Sequence, residues 1–189
     1  MPNVFFPPFS FLVLVSYCSL LLTLCCFDSL ELVWVFIELL TFVFIGIALT
    51  SCRGSFITYG VVSYFITQSM LSIVLLVSIF LFHLSLLLFI SGLIFGITLR
   101  AKLGVFPFSG WYLSSVSFFP SFILLVALTF HKLPLLYMVY ILSPSLLSSQ
   151  LCFLIYFLLT LNLGVMSLSS ISSLDLRTLV ITTSIGNNS

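Results

Sequence analysis

Long apolar runs divide this chain, and each is about as long as a bilayer is thick. A helix needs about 20 apolar residues to cross a hydrocarbon core of about 30 Å. The first run is Phe5 to Phe27, with Pro7 and Pro8 in its opening turn, where proline is tolerated, and Asp28-Ser29 at its end. The second, Leu30 to Thr50, follows at once, and Ser51-Cys52-Arg53-Gly54 reads as a loop. From Ser55 to Leu99 polar positions are sparse, yet a single helix there would be about 68 Å long, twice what a bilayer needs. Two spans are therefore expected, 56–82 and 84–106, turning at His83-Leu84-Ser85. Pro120 opens a fifth span, 120–142, and 150–166 is a sixth. Ser143-Pro144-Ser145 and the serine-rich Ser167–Ser173 read as connectors. Leu174-Asp175-Leu176-Arg177 opens a partial seventh helix, 174–186. Phe108–Phe119 is too short and too polar to span, and its Trp111 and Tyr112 suit a membrane–water interface. The expected fold is all-α: a polytopic membrane helix bundle forming one domain over residues 1–189.

Composition agrees. The chain is 62% hydrophobic and 5% charged, whereas soluble domains carry about 25% charged residues. A net charge of +1 leaves no basic patch, which excludes nucleic acid as a partner. The five cysteines form no CxxC pair and stand at no metal-ligand spacing with histidine, so they are expected to pack as small apolar residues. The N-terminus has neither the basic region of a secretory signal nor the Arg/Ser-rich pattern of a transit peptide. Synthesis beside the receiving membrane is the expectation, and the abundance of phenylalanine fits an AT-rich genome.

The few ionisable groups set in oil remain. Glu31 lies at the mouth of the second span, whereas Glu38 lies about 10 Å deeper at 1.5 Å per residue. A carboxyl at that depth is neutral or paired. Tyr64, Gln68 and Ser72 recur at helical spacing and share a face. That stripe either lines a wet path or supplies interhelical hydrogen bonds, each worth about 1 kcal/mol or less. Lys102 precedes Gly104 and Pro107; His131 and Lys132 precede Pro134, which cannot donate a hydrogen bond and clashes with the Phe130 carbonyl. Broken helices are expected near both lysines. Unwound backbone at membrane depth survives only where protein or water surrounds it. An intramembrane ammonium costs about 2.5–3.5 kcal/mol on insertion scales, so its default reading is functional. The blander alternatives are that Lys102 snorkels to the interface and that His131 is a satisfied polar residue. Together these residues point to the core of an ion or proton path.

The run Lys102-Leu-Gly-Val-Phe-Pro-Phe-Ser-Gly-Trp111, with His131-Lys132-Leu-Pro134 further on, resembles the subunit 2 family of NADH dehydrogenase. These are antiporter-like membrane subunits of respiratory complex I, with a Lys-Leu-Gly-x-x-Pro-Phe-His-x-Trp pattern followed by Gln-Lys-x-x-Pro. Trp34-x-x-x-Glu38, Tyr64-Phe65-x-Thr67-Gln68 and Leu176-Arg177 leading to Thr183-Ser184-Ile185 agree in order and spacing. The resemblance implies that Glu38, Lys102 and Lys132 are proton-transfer residues, with Gln68 and His131 as candidate polar relays. It implies a proton-translocating membrane-arm subunit in the mitochondrial inner membrane, encoded by the mitochondrion, among other membrane-arm subunits and lipids. FMN, iron–sulfur clusters and quinone would belong to other parts of the complex; no cofactor is expected in this chain. Ser109 stands where the family has histidine, Ser63 where many members have lysine, and the Pro-acidic pair after the tryptophan is absent. The resemblance covers about the first half of the family's usual length. A second polypeptide carrying the remaining helices is the expectation, with a reduced, non-pumping subunit as its competitor. Two other functions stay open: an Mrp-type cation/proton antiporter and a purely structural membrane subunit.

Overall fold

The computed structural model describes residues 8–24, 26–51, 55–83, 88–146, 149–173 and 175–187. Within them every element is a helix: α1 (Pro8–Leu24), α2 (Leu30–Ser51), α3 (Ser55–His83), α4 (Leu88–Leu103), α5 (Ser109–Val116), α6 (Ser121–Leu128), α7 (Leu133–Leu146), α8 (Ser149–Ser172) and α9 (Leu176–Asn187). The expected start at Phe5, the loop at Cys52-Arg53-Gly54, the turn at Leu84-Ser85 and the opening Leu174 lie outside the described residues. Among the described residues three stretches, Leu30–Thr50, Ile57–His83 and Ser121–Ile141, are long and apolar enough to cross a membrane.

The helices form a bundle around α3, which packs against α2, α4 and α5; α1 lies on α2, α7 touches α2 and α4, and α9 rests on α8 and α5. Many large side chains face outward, among them Phe42, Met70, Ile73 and Leu125. Their exposure suits a lipid surrounding, where apolar surface need not be hidden from water. At one end His83 Nε2 lies 3.6 Å from Glu31 Oε1, both well exposed, so the start of α2 and the end of α3 meet there.

Two features of the backbone set the positions of the buried polar side chains. The first closes α4. Gly104 has a φ of +70°; its N–H bonds the Ala101 carbonyl at 3.1 Å, and the Val105 N–H bonds that of Arg100 at 3.0 Å. This is a Schellman motif, in which a left-handed residue lets the chain turn back and satisfy the last carbonyls. Glycine is required twice over, since a Cβ there would stand 2.6 Å from Cβ and Cγ of Tyr112. The N–H of Phe106, in the turn after α4, bonds Oδ1 of Asn162 on α8 at 2.9 Å.

The second feature breaks the expected fifth span into α6 and α7. The His131 N–H reaches the Val126 carbonyl, five residues back, and the Lys132 N–H reaches Thr129, three back; regular bonding resumes from Leu136 to Lys132. Pro134 sits in the first turn of α7, where its missing N–H forfeits little. Residues 129–132 absorb the change of register.

Two expectations are corrected. Ser143-Pro144-Ser145 is not a loop: α7 runs through it to Leu146, because Pro144 forfeits only one backbone bond, to the Tyr140 carbonyl. Nor is 167–173 a linker, since α8 continues to Ser172. Ser167, Ser169, Ser170 and Ser172 each return the hydroxyl to the carbonyl three residues back at 2.8–3.0 Å, which lets a serine-rich run stay helical. Tyr112 packs inside the protein. It is 1% exposed, because the turn at Gly104 folds α5 back against the bundle.

Candidate functional site

The centre of the bundle holds a small set of polar groups from four helices. Lys102, in the last turn of α4, is 2% exposed and does not snorkel. Its Nζ donates to Glu38 Oε1 at 3.0 Å and to Ser72 Oγ at 2.6 Å. The Ser72 hydroxyl donates in turn to the same carboxylate oxygen. Ammonium, hydroxyl and carboxylate from α4, α3 and α2 thus close a ring. Charge-assisted bonds of this kind are about twice as strong as neutral ones. They are also needed, because a buried ion is tolerated only when paired and hydrogen-bonded.

The supports of this ring are themselves fixed. Trp34, one turn before Glu38, donates from Nε1 to the Ser72 carbonyl at 3.1 Å. Gln68, one turn before Ser72, donates from Nε2 to the Lys102 carbonyl at 3.2 Å. Trp111 Nε1 bonds the Ala101 carbonyl at 3.1 Å. The end of α4 is therefore held by α3 and α5 through the Lys102 carbonyl and a second bond to the Ala101 carbonyl, which Gly104 also uses. Tyr64, Gln68 and Ser72 are all buried. The stripe they form reads as interhelical bonding, with Ser72 in direct contact with the ion pair.

Lys132 is different. It is 3% exposed, yet among the described residues its Nζ has no hydrogen-bond partner. It stands 5.2 Å from the centroid of the Tyr112 ring, within reach of a cation–π attraction. Tyr112 also acts through its hydroxyl, which donates to the Ala127 carbonyl at 3.3 Å. That carbonyl would have served the His131 N–H in an unbroken helix, so the phenol satisfies a group freed by the break. Since Tyr112 also seats against Gly104, one residue bridges both interruptions of the helices.

His131 adjoins Lys132 in the second break. Its ring stacks obliquely on Phe44 at 5.0 Å and on Tyr64 at 5.9 Å between centroids, and its Nδ1 is 3.3 Å from the Tyr17 hydroxyl. Ser63 and Ser115 face each other at 3.4 Å across α3 and α5, in a region where Gly60 gives no room for a Cβ beside Phe118. Arg177 on α9 donates to the Ser117 carbonyl at 3.0 Å.

Of the five residues singled out in the sequence, Gln68, Lys102, His131 and Lys132 are buried, and Glu38 is partly buried, its side chain 18% exposed. Glu38 and Lys102 touch; Gln68 braces the Lys102 backbone; His131 and Lys132 share the second break. Sequence reasoning missed Tyr112 and Tyr17. Neither carries a signal beyond being aromatic in an aromatic-rich chain, and only the fold brings them to the lysines. No protein-family model matches the chain, and no curated protein matches it.

Proposed function

We propose that this chain is a proton-translocating membrane-arm subunit of a respiratory NADH:quinone oxidoreductase, of the subunit 2 kind, in the mitochondrial inner membrane. The observation that carries this reading is the contrast between two buried lysines. One is clasped by a carboxylate and a hydroxyl, while the other, at a helix break, has no hydrogen-bond partner among the described residues. A lysine on a buried site exchanges its proton readily when a neighbouring charge moves. The protons of such a cluster titrate together.

In this scheme Glu38 holds Lys102 as an ammonium. When a charge shift in an adjoining subunit draws Lys102 from Glu38, Lys102 gives up its proton and becomes a neutral amine. Lys132 accepts that proton and becomes the ammonium, with water and His131 between them. The Tyr112 face stabilises the new charge. Gln68 keeps the end of α4 in register while the Lys102 side chain moves. Oxidation of NADH and reduction of quinone, with FMN and iron–sulfur clusters, belong to other subunits; this chain contributes the proton step. The bundle then crosses the membrane six times, α6 and α7 together making one interrupted crossing, among neighbouring membrane-arm subunits and lipids.

Purification of the assembly that contains this chain tests the proposal. NADH-oxidising, quinone-reducing activity is expected to accompany it. An assembly without that activity that exchanges cations for protons would contradict it.

A further inference from the structure

We propose that Tyr17 is a positioning residue that locks His131 in one tautomer, the phenol donating to Nδ1 and the imidazole proton residing on Nε2. Tyr17 belongs to α1, a helix whose described residues carry no charged side chain. It is nonetheless 2% exposed, with its hydroxyl 3.3 Å from Nδ1 of an imidazole that is 5% exposed. A buried hydroxyl and a buried ring nitrogen each need a partner, and here they supply one another.

The direction of the bond follows from chemistry and surroundings. A bare imidazole nitrogen is a better acceptor than a phenol oxygen, and either group can donate. Were Nδ1 to carry the proton, the phenol hydrogen would need another acceptor. The cavity beside Tyr17, about 80 Å³ and lined by Ile47, Phe122, Leu125 and Phe130 among others, offers none. It has room for water, but an apolar cavity of this kind stays dry. The same cavity means that Tyr17 does not pass a proton onward; it ends the network. The ring itself is held by Phe44 and Tyr64, and the backbone N–H of His131 by the Val126 carbonyl.

The consequence is specific. With Nδ1 accepting and Nε2 already protonated, His131 takes up no further proton unless the phenol turns away. Tyr17 therefore decides whether the imidazole beside Lys132 is a fixed dipole or a carrier. The purpose of the lock rests on the proton path proposed above, whereas its geometry does not.

The chain contains two histidines, His83 and His131, so solid-state nitrogen NMR of the full chain in bilayers, labelled at histidine, reads the tautomer directly. His83→Gln assigns the signals. The wild type is expected to show His131 wholly as the Nε2–H form with a hydrogen-bonded Nδ1. Tyr17→Phe, which keeps the ring, is expected to abolish that hydrogen-bonded signal and to mix the tautomers. An Nδ1–H form in the wild type, or an unchanged spectrum in the variant, overturns the proposal. If Tyr17→Phe does not fold, the wild-type tautomer alone decides. The readout needs no proton pumping, so its failure is distinct from failure of the translocation reading.

Discussion

The side-chain nitrogen of Lys132 stands 5.2 Å from the centre of the Tyr112 ring, and that same tyrosine presses on Gly104 just after Lys102. Through Tyr112 the two helix interruptions become one unit. A change at either break is felt at both lysines, although they lie on separate helices.

Tyr112→Phe is expected to be mild. It removes the bond to the Ala127 carbonyl, worth about 0.5–1.5 kcal/mol, and leaves the ring under Lys132. Tyr112→Leu removes the ring as well and is expected to cost about 1 kcal/mol more, with lower proton translocation. Unfolding midpoints and translocation rates of the two variants check the order. Equal effects would mean that the ring face does not act on Lys132.

Gly104→Ala should be among the most disruptive single-atom-scale changes in the chain. The left-handed backbone costs a residue with a Cβ about 1–2 kcal/mol. The added carbon would also overlap Tyr112 at 2.6 Å, so assembly yield and thermal stability are both expected to fall. A variant of wild-type stability would contradict the close seating of α5 on α4.

Glu38 and Lys102 are expected to be coupled. Removing either partner of a buried pair costs about 3–5 kcal/mol, because the other charge is stranded. Glu38→Gln with Lys102→Met should therefore cost less than the sum of the single changes, by roughly 1–3 kcal/mol. Denaturant unfolding of all four proteins measures this, and strict additivity would show that the two side chains do not meet.

Ser72→Ala takes away one of the two partners of the Lys102 ammonium and is expected to destabilise by about 1–3 kcal/mol. Ser72→Thr keeps the hydroxyl and is expected to restore most of the translocation rate. If alanine and threonine behave alike, the hydroxyl plays no part in the ring.

Much of this site is legible in the sequence. Charged groups in an apolar chain announce themselves, so Glu38, Lys102 and Lys132 stand out on energetic grounds alone. Pro134 lies beside the break at 129–132, although α7 runs through Pro144. The rest depends on tertiary placement. Tyr112, among serines and next to a tryptophan, shows no sign of its burial until Gly104 is known to turn α5 inward. Ser72 has the same face as Gln68, but its contact with Glu38 requires the packing of α2 on α3. The run of serines before Ser173 reads as a linker because composition does not reveal that each hydroxyl can bond its own helix.

Lys132→Met puts the central claim to its most direct test. The substitution keeps the length of the side chain and removes the amine that stands over Tyr112, so the assembly is expected to form normally. In sealed vesicles driven by NADH, the ratio of protons moved to electrons transferred is predicted to fall below that of the wild type. An intact assembly with an unchanged ratio would contradict the assignment of Lys132, and with it the path from Lys102.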